Sequence, residues 1–286
     1  MSFGFLWAPK PEVLKAELKR RSHAGVRAPA GESAGRSAIP DWYFYALAVP
    51  AVTLIGLSKG GFVGMGALSL PILALAISPV RAAAILLPIL IVQDVVGVWA
   101  FRKQWDGHVL GWMLPGSVIG IALGWFFAAQ VSESAVLGVV GAISILFGAY
   151  RLWVDRRGAI AAPARSPGWV GTLLGIASGF TSQIAHAGQP PFQIWVMPKR
   201  LERDVLVGTT AIFFAVTNWL KVPAYWALGQ FTHENLLVAA TLLPVAIAST
   251  LGGVWLVRRV SPTRFYTAIY VLMILVGVKL VWDGVA

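Results

Sequence analysis

The sequence predicts an all-α integral membrane protein, an inverted repeat of two halves, each with a broken or re-entrant helix pair plus three transmembrane helices. Three observations lead there. The chain is 57% hydrophobic and 12% charged, with a mean hydropathy of +0.73, whereas soluble domains carry about 25% charged residues. Two polar, glycine-rich stretches, 56–71 and 175–191, interrupt apolar sequence at corresponding places in the two halves. Landmarks also recur at one spacing: Leu114-Pro115 with Leu243-Pro244, Gly124 with Gly253, Gly148 with Gly277 and Trp153 with Trp282 are all 129 residues apart. Near the interruptions the spacing is about ten shorter, as from Gly56 to Gly175 and from Gly60 to Gly179. A constant offset that includes proline and tryptophan argues for duplication.

Residues 1–40 are a polar, basic arm with Lys10, Lys15, Lys19, Arg20, Arg21, Arg27 and Arg36. Its apolar stretch 3–8 precedes the charges and is shorter than a signal-peptide core of about 7–15 residues. Residues 12–21 suit a short basic helix on lipid headgroups, and the Ala/Gly/Ser/Pro-rich continuation reads as a flexible linker. The first membrane repeat covers 41–154. Its segments 42–57 and 67–77 flank the first break, each shorter than the roughly 20 residues of a spanning helix. Residues 82–101 are a full span holding Gln93 and Asp94, and 109–130 and 134–153 complete the repeat. A basic connecting loop, 155–167, with Arg156, Arg157 and Arg165, divides the halves. The second repeat, 168–286, follows the same plan. Segments 169–181 and 190–198 flank its break, 205–228 is a span with Asn218 and Lys221, and 235–257 and 265–281 complete it.

The basic loops orient these spans. Arg102-Lys103, the loop from Arg151 to Arg165, the loop from Lys199 to Arg203, and Arg258-Arg259 with Arg264 should all be cytoplasmic. Two spans separate the first loop from the second and the third from the fourth, so the broken pair between them must return to its own side. If the first broken pair also returns, each repeat makes an odd number of crossings and the halves are inverted. Secondary transporters of that kind bind substrate near the midplane, on broken helices. This frame places the basic arm outside, against the charge rule; a single net crossing by the first pair is the other solution.

Composition excludes several functions. The chain has no cysteine, so it has no disulfide and no thiolate metal site. Its net charge of +11 is accounted for by topology and anionic headgroups. No basic face with interleaved aromatics stands apart from the spans, so nucleic acid is not an expected partner. There is no Gly-x-Ser-x-Gly, HExxH or phosphate-loop pattern, and the four histidines are scattered. No enzymatic activity, cofactor or metal is expected. Ser182 and His186 lie close in sequence, but no second carboxylate accompanies them. Tryptophans such as Trp42, Trp105, Trp153 and Trp282 read as interface anchors.

Candidate binding chemistry sits in the two breaks, because backbone unwound at membrane depth survives only where protein buries it or it lines a cavity. In the first, Ser58, Lys59, Gly60 and Gly61 precede a helix expected from about Gly66. Glycines let backbone N–H groups approach a ligand, and a helix N-terminus carries about half a positive charge. Lys59 adds a full one, and together they suit a small oxyanion. The competing reading is that Gly64 and Gly66 allow close helix packing while Lys59 snorkels to an interface. In the second break, Thr181, Ser182, Gln183, His186 and Gln189 bring hydroxyls, amides and an imidazole. Ser182, Gln183 and Gln189 can donate to an anion, and His186 can do so while protonated and release its proton near neutral pH. Asp94 is mid-span, with Asn218 at the roughly equivalent point of the second half. A carboxylate there needs a partner or a proton: Asp94 pairs with Lys59 or Lys221, carries a coupling proton, or forms a purely structural salt bridge.

From about residue 42 to the end, the paired breaks and the duplication resemble the TauE/SafE family of sulfite exporter-like membrane proteins (DUF81). The resemblance is carried by 60–71, beginning Gly60-Gly61 and ending at Pro71, and by 179–191, above all His186-Ala187-Gly188-Gln189-Pro190-Pro191. Where the family often has a longer glycine run, this chain has Phe62-Val63 and Gln189. The resemblance implies transport of small sulfur-containing anions, such as sulfite, sulfoacetate or related organosulfonates, across the bacterial cytoplasmic (inner) membrane. The expectation is therefore a multi-pass secondary transporter that exports a small anion, with proton coupling through Asp94 and His186 and Lys221 in the ion-pair set. Its expected partners are the anion and the lipid bilayer, with a homodimer left open. The alternatives are a cation or neutral-solute permease, in which Asp94 and unwound carbonyls hold the ion, and, more remotely, an intramembrane enzyme.

Overall fold

The computed structural model describes residues 41–128, 130–157, 166–257, 259 and 263–285. The basic arm and residues 158–165 of the connecting loop lie outside the described residues. The described residues form ten α-helices and no strand. The first half contains α1 (Trp42–Lys59), α2 (Ser69–Leu73), α3 (Pro79–Phe101), α4 (Gly107–Ala128) and α5 (Glu133–Arg157). A 3-10 turn, Met65–Leu68, leads into α2. The second half contains α6 (Gly168–Ala185), α7 (Gln189–Val196), α8 (Arg203–Ala227), α9 (His233–Val257) and α10 (Thr263–Val285). Seven of these helices, α1, α3, α4, α5, α8, α9 and α10, are long and apolar enough to cross a membrane. This is a multi-pass membrane protein, and its outward-facing surface is accordingly apolar, with Trp42, Trp99, Trp226 and Trp282 exposed.

Both predicted breaks are narrower than the sequence suggests. α1 continues through Ser58 to Lys59, and α6 continues through Ser178 and Gln183 to Ala185. The reason is that intrahelical bonds are the cheapest way to satisfy backbone groups in an apolar medium. The glycines in these stretches are mostly contact points. A Cβ on Gly60 would lie 2.6 Å from the Gly253 backbone on α9, and one on Gly179 would lie 2.2 Å from the Ser117 carbonyl on α4. What turns the chain is left-handed backbone, at Gly61 (φ 133°) and Gly64 (φ 110°) in the first half and at His186 (φ 49°) in the second.

After each turn the chain doubles back. Ser69 Oγ donates to the Ala51 carbonyl at 2.7 Å, and Gly66 rests on Ser58, so α2 retraces α1. Ser178 Oγ donates to the Gly188 carbonyl at 2.7 Å, and Gly171 abuts Trp195, so α7 retraces α6. Both broken pairs are therefore antiparallel hairpins. α3 then runs parallel to α1: Gln93 Nε2 donates to the Val52 carbonyl at 3.3 Å, and Gly97 lies against the Lys59 carbonyl. Contacts at one end gather the basic loops. Arg203 Nη1 donates to the Val257 carbonyl at 2.7 Å, Gly208 meets the Gln104 carbonyl, and Gly148 of α5 meets Tyr270 near the start of α10.

The halves pack reciprocally. α4 lies along α6 and α1 along α9; α3 contacts α9 and α8 contacts α4; α3 also pairs with α8, and α5 with α10. Exchanging the halves maps this set onto itself. A Cβ on Gly141 would meet the Gly277 carbonyl, and one on Gly148 the Tyr270 carbonyl. Those contacts are counterparts, since 270 − 141 = 129 and 277 − 148 = 129. The same contacts show α5 antiparallel to α10. Gly97 against Ala211 and Gly208 against Phe101 show α3 antiparallel to α8.

Candidate functional site

The tips of the two hairpins meet between α3 and α8. Lys59, the last residue of α1, is buried and donates through Nζ to Asp94 Oδ1 on α3. The ammonium also lies 5.2 Å from the centre of the Phe214 ring on α8. Asp94 Oδ2 accepts from Asn218 Nδ2 at 2.6 Å, so both carboxylate oxygens are engaged. A buried carboxylate in this setting is held by its ion pair and by the amide that satisfies its second oxygen.

The second hairpin ends differently. His186 caps α6 in a left-handed conformation, which orients its ring between α3 and α8. Its Nε2 is 2.8 Å from the Ala83 carbonyl and its Nδ1 is 2.7 Å from Lys221 Nζ. A carbonyl only accepts and an ammonium only donates. The two partners thus fit a neutral imidazole with its proton on Nε2 and its lone pair on Nδ1 facing Lys221. Lys221 is fully buried and also donates to Ser182, to Oγ at 3.1 Å and to the carbonyl at 3.2 Å. Among the described residues no carboxylate lies within ion-pair distance of Lys221. Tyr225 stacks on the imidazole with ring centres 5.9 Å apart.

Each hairpin tip thus carries one helix-end pair. Lys59 and Asp94 are 35 residues apart, as are His186 and Lys221, but the pairs are not equivalent by contact: Gln93 meets Ala246 as Thr217 meets Ser117 (246 − 117 = 129; 217 − 93 = 124), which sets Asp94 against Asn218. The first tip brings together a cation and a carboxylate; the second brings together two basic groups.

Between the pairs is a cavity of about 40 Å³, room for about three water-sized groups. Seven of the sequence-predicted residues border it: Ser58, Lys59, Ser182, His186, Gln189, Asn218 and Lys221. Asp94 sits directly behind Lys59 and Asn218. Gln189 Nε2 donates to Ser58 Oγ at 3.2 Å, joining the two hairpin tips. Four predicted residues lie off the cavity. Gly60 and Gly61 press against Gly253 and Val257 of α9, and Thr181 Oγ1 donates to the Ala177 carbonyl of its own helix at 2.8 Å. Gln183 borders a separate, mainly apolar cavity of about 230 Å³ with Phe127, Val139 and Tyr225.

The expected helix N-terminal anion site is not formed. Ser58 and Lys59 lie at the C-terminal end of α1, and a 3-10 turn follows the break. α7 opens with Pro190-Pro191, which supply no N–H. The positive charge at the cavity is therefore carried by side chains. Residues not singled out from sequence are Ser69 and Phe214, which border the cavity, and Tyr225 under His186. Helical spacing holds the signal for two of them: 214, 218, 221 and 225 share one face of α8.

The family model described as "Sulfite exporter TauE/SafE" matches residues 48–280. No curated protein matches the chain, and no solved structure does.

Proposed function

Because this chain belongs to the sulfite exporter TauE/SafE family, we propose that it is a secondary transporter that moves a small sulfur-containing anion outward across the bacterial inner membrane. Sulfite, sulfoacetate and related organosulfonates are the substrate class. One observation carries the reading: two lysines and a histidine face one small cavity, and the carboxylate beside it is already engaged by Lys59 and Asn218. Charge buried at membrane depth calls for a counter-charge, and a small oxyanion supplies one. Lys221 and Lys59 attract it, while Ser58, Ser182, Gln189 and Asn218 offer hydrogen bonds.

The antiparallel run of counterpart helices supports an inverted repeat, with alternating access by rocking of one half against the other around the cavity. Collection of the basic loops at one end supports a cytoplasmic assignment for that end. The His186–Lys221 pair supports proton coupling: as the anion draws the Lys221 ammonium away, Nδ1 is freed to take up a proton that offsets the anion's charge. The cation-permease reading needs free Asp94 oxygens, and both are engaged. Ser182 and His186 each bond to Lys221, an arrangement that favours transport over hydrolysis.

The test is uptake of sulfite and of sulfoacetate by proteoliposomes, with and without an imposed pH gradient. Saturable uptake of at least one anion, accelerated by the gradient, is the expected result. Uptake of neither would overturn the substrate class, and uptake indifferent to the gradient would overturn the coupling.

A further inference from the structure

Among the described residues, the buried polar side-chain atoms without a hydrogen-bond partner are concentrated on one element. They are Gln93 Oε1, both amide atoms of Gln183, Gln189 Oε1, both amide atoms of Gln193, and Trp195 Nε1. All but the first belong to the second hairpin. Burying an amide without a partner is costly, and the fold does not require one at these places. With Pro71 set against Pro191, Gln193 falls opposite Leu73 of the first hairpin, a fully buried leucine.

The positions form a track. Gln183 borders the 230 Å³ cavity on one side of His186. Gln189 reaches Ser58 at the central cavity. Gln193 lies one helical turn further along α7, with Nε2 2.9 Å from where a Cβ on Gly64 would stand. The Tyr270 hydroxyl borders the same spot, and Arg151 Nε donates to that hydroxyl at 3.1 Å. Arg151 belongs to the basic-loop end of α5. The track thus runs from the apolar cavity, through the site, toward the end where the basic loops gather.

Resting on the transport reading above, we infer that Gln193 lines the anion's path between the central cavity and the basic-loop end, and sets which anions pass. A neutral amide suits that position. It donates to an oxyanion without the hold of an ion pair, and a conducting site must bind weakly enough to release. Gly64 is left-handed and has no side chain, which is what lets the Gln193 amide sit at this place.

The experiment compares Gln193→Leu, Gln193→Met and Gln193→Asn with the wild-type chain in sulfite-loaded proteoliposomes, alongside their thermal midpoints in detergent. Both apolar variants remove unpartnered atoms, so their midpoints should equal or exceed the wild-type value. Their maximal rate should fall at least about tenfold, the scale of one lost transition-state contact, while the concentration for half-maximal rate changes little. Gln193→Asn should recover part of the rate. Wild-type rates in a Leu or Met variant of raised midpoint would overturn the inference and make Gln193 a packing residue. If the wild-type chain moves no anion, the transport reading fails first and the inference falls with it.

Discussion

The two hairpin tips meet at one cavity, yet they treat charge in opposite ways. In the first half, Lys59 meets Asp94 and the charge is closed within the protein. In the second, His186 meets Lys221, and Lys221 finds a serine and an imidazole but, among the described residues, no carboxylate. The first tip is therefore an anchor closed on its own ion pair; under the proposed function, the second takes its counter-charge from the anion.

The largest expected effect breaks the anchor. Lys59→Met alone leaves Asp94 buried and unpaired, and Asp94→Leu alone strands Lys59. Each should cost about 3–5 kcal/mol of stability, read as lost yield and a lowered thermal midpoint. The double variant Lys59→Met/Asp94→Leu should recover most of it. A double variant no better than the singles would mean that the pair does not act as a unit.

The next effect is on transport more than on folding. Lys221→Met removes a buried cation that has no carboxylate partner but leaves His186 Nδ1 and Ser182 Oγ without their donor, so stability should fall by about 1–3 kcal/mol, less than for the anchor. Sulfite uptake should nevertheless fall about a hundredfold, equivalent to roughly 2.7 kcal/mol of lost anion stabilisation. Uptake near the wild-type level would remove the distinction between the tips.

A subtler variant isolates the imidazole. His186→Asn keeps a residue that tolerates the left-handed backbone while removing the titrating ring. Uptake by the wild-type protein should rise as the loading side is acidified; in His186→Asn that dependence should vanish while pH-independent uptake persists. A retained pH response would locate the coupling proton elsewhere. His186→Ala is the poorer probe, because alanine enters the left-handed region less readily than asparagine.

The fold was largely legible in the sequence, because hydropathy and the 129-residue spacing are carried by residues such as Pro115, Pro244, Trp153 and Trp282 that local chemistry marks out. Polar residues stranded in apolar spans (Lys59, Asp94, His186, Asn218 and Lys221) were legible for the same reason. The pairings were not. Asp94 could meet Lys59 or Lys221, and only the packing of α3 between α1 and α8 decides for Lys59. Break widths were also hidden. Gly56, Gly60, Gly175 and Gly179 look like unwound chain until a neighbouring helix is seen seated against each. Gln183 and Gln189 sit in one polar run, yet α6 continues to Ala185 and turns Gln183 toward a different cavity.

The most direct test of the contrast between the tips is calorimetric titration of sulfite into purified protein, wild-type beside Lys221→Met. Saturable binding by the wild-type chain and none by Lys221→Met is the predicted result. Equal binding by both would contradict the account, because the charge left open in the second half would then not be what holds the anion.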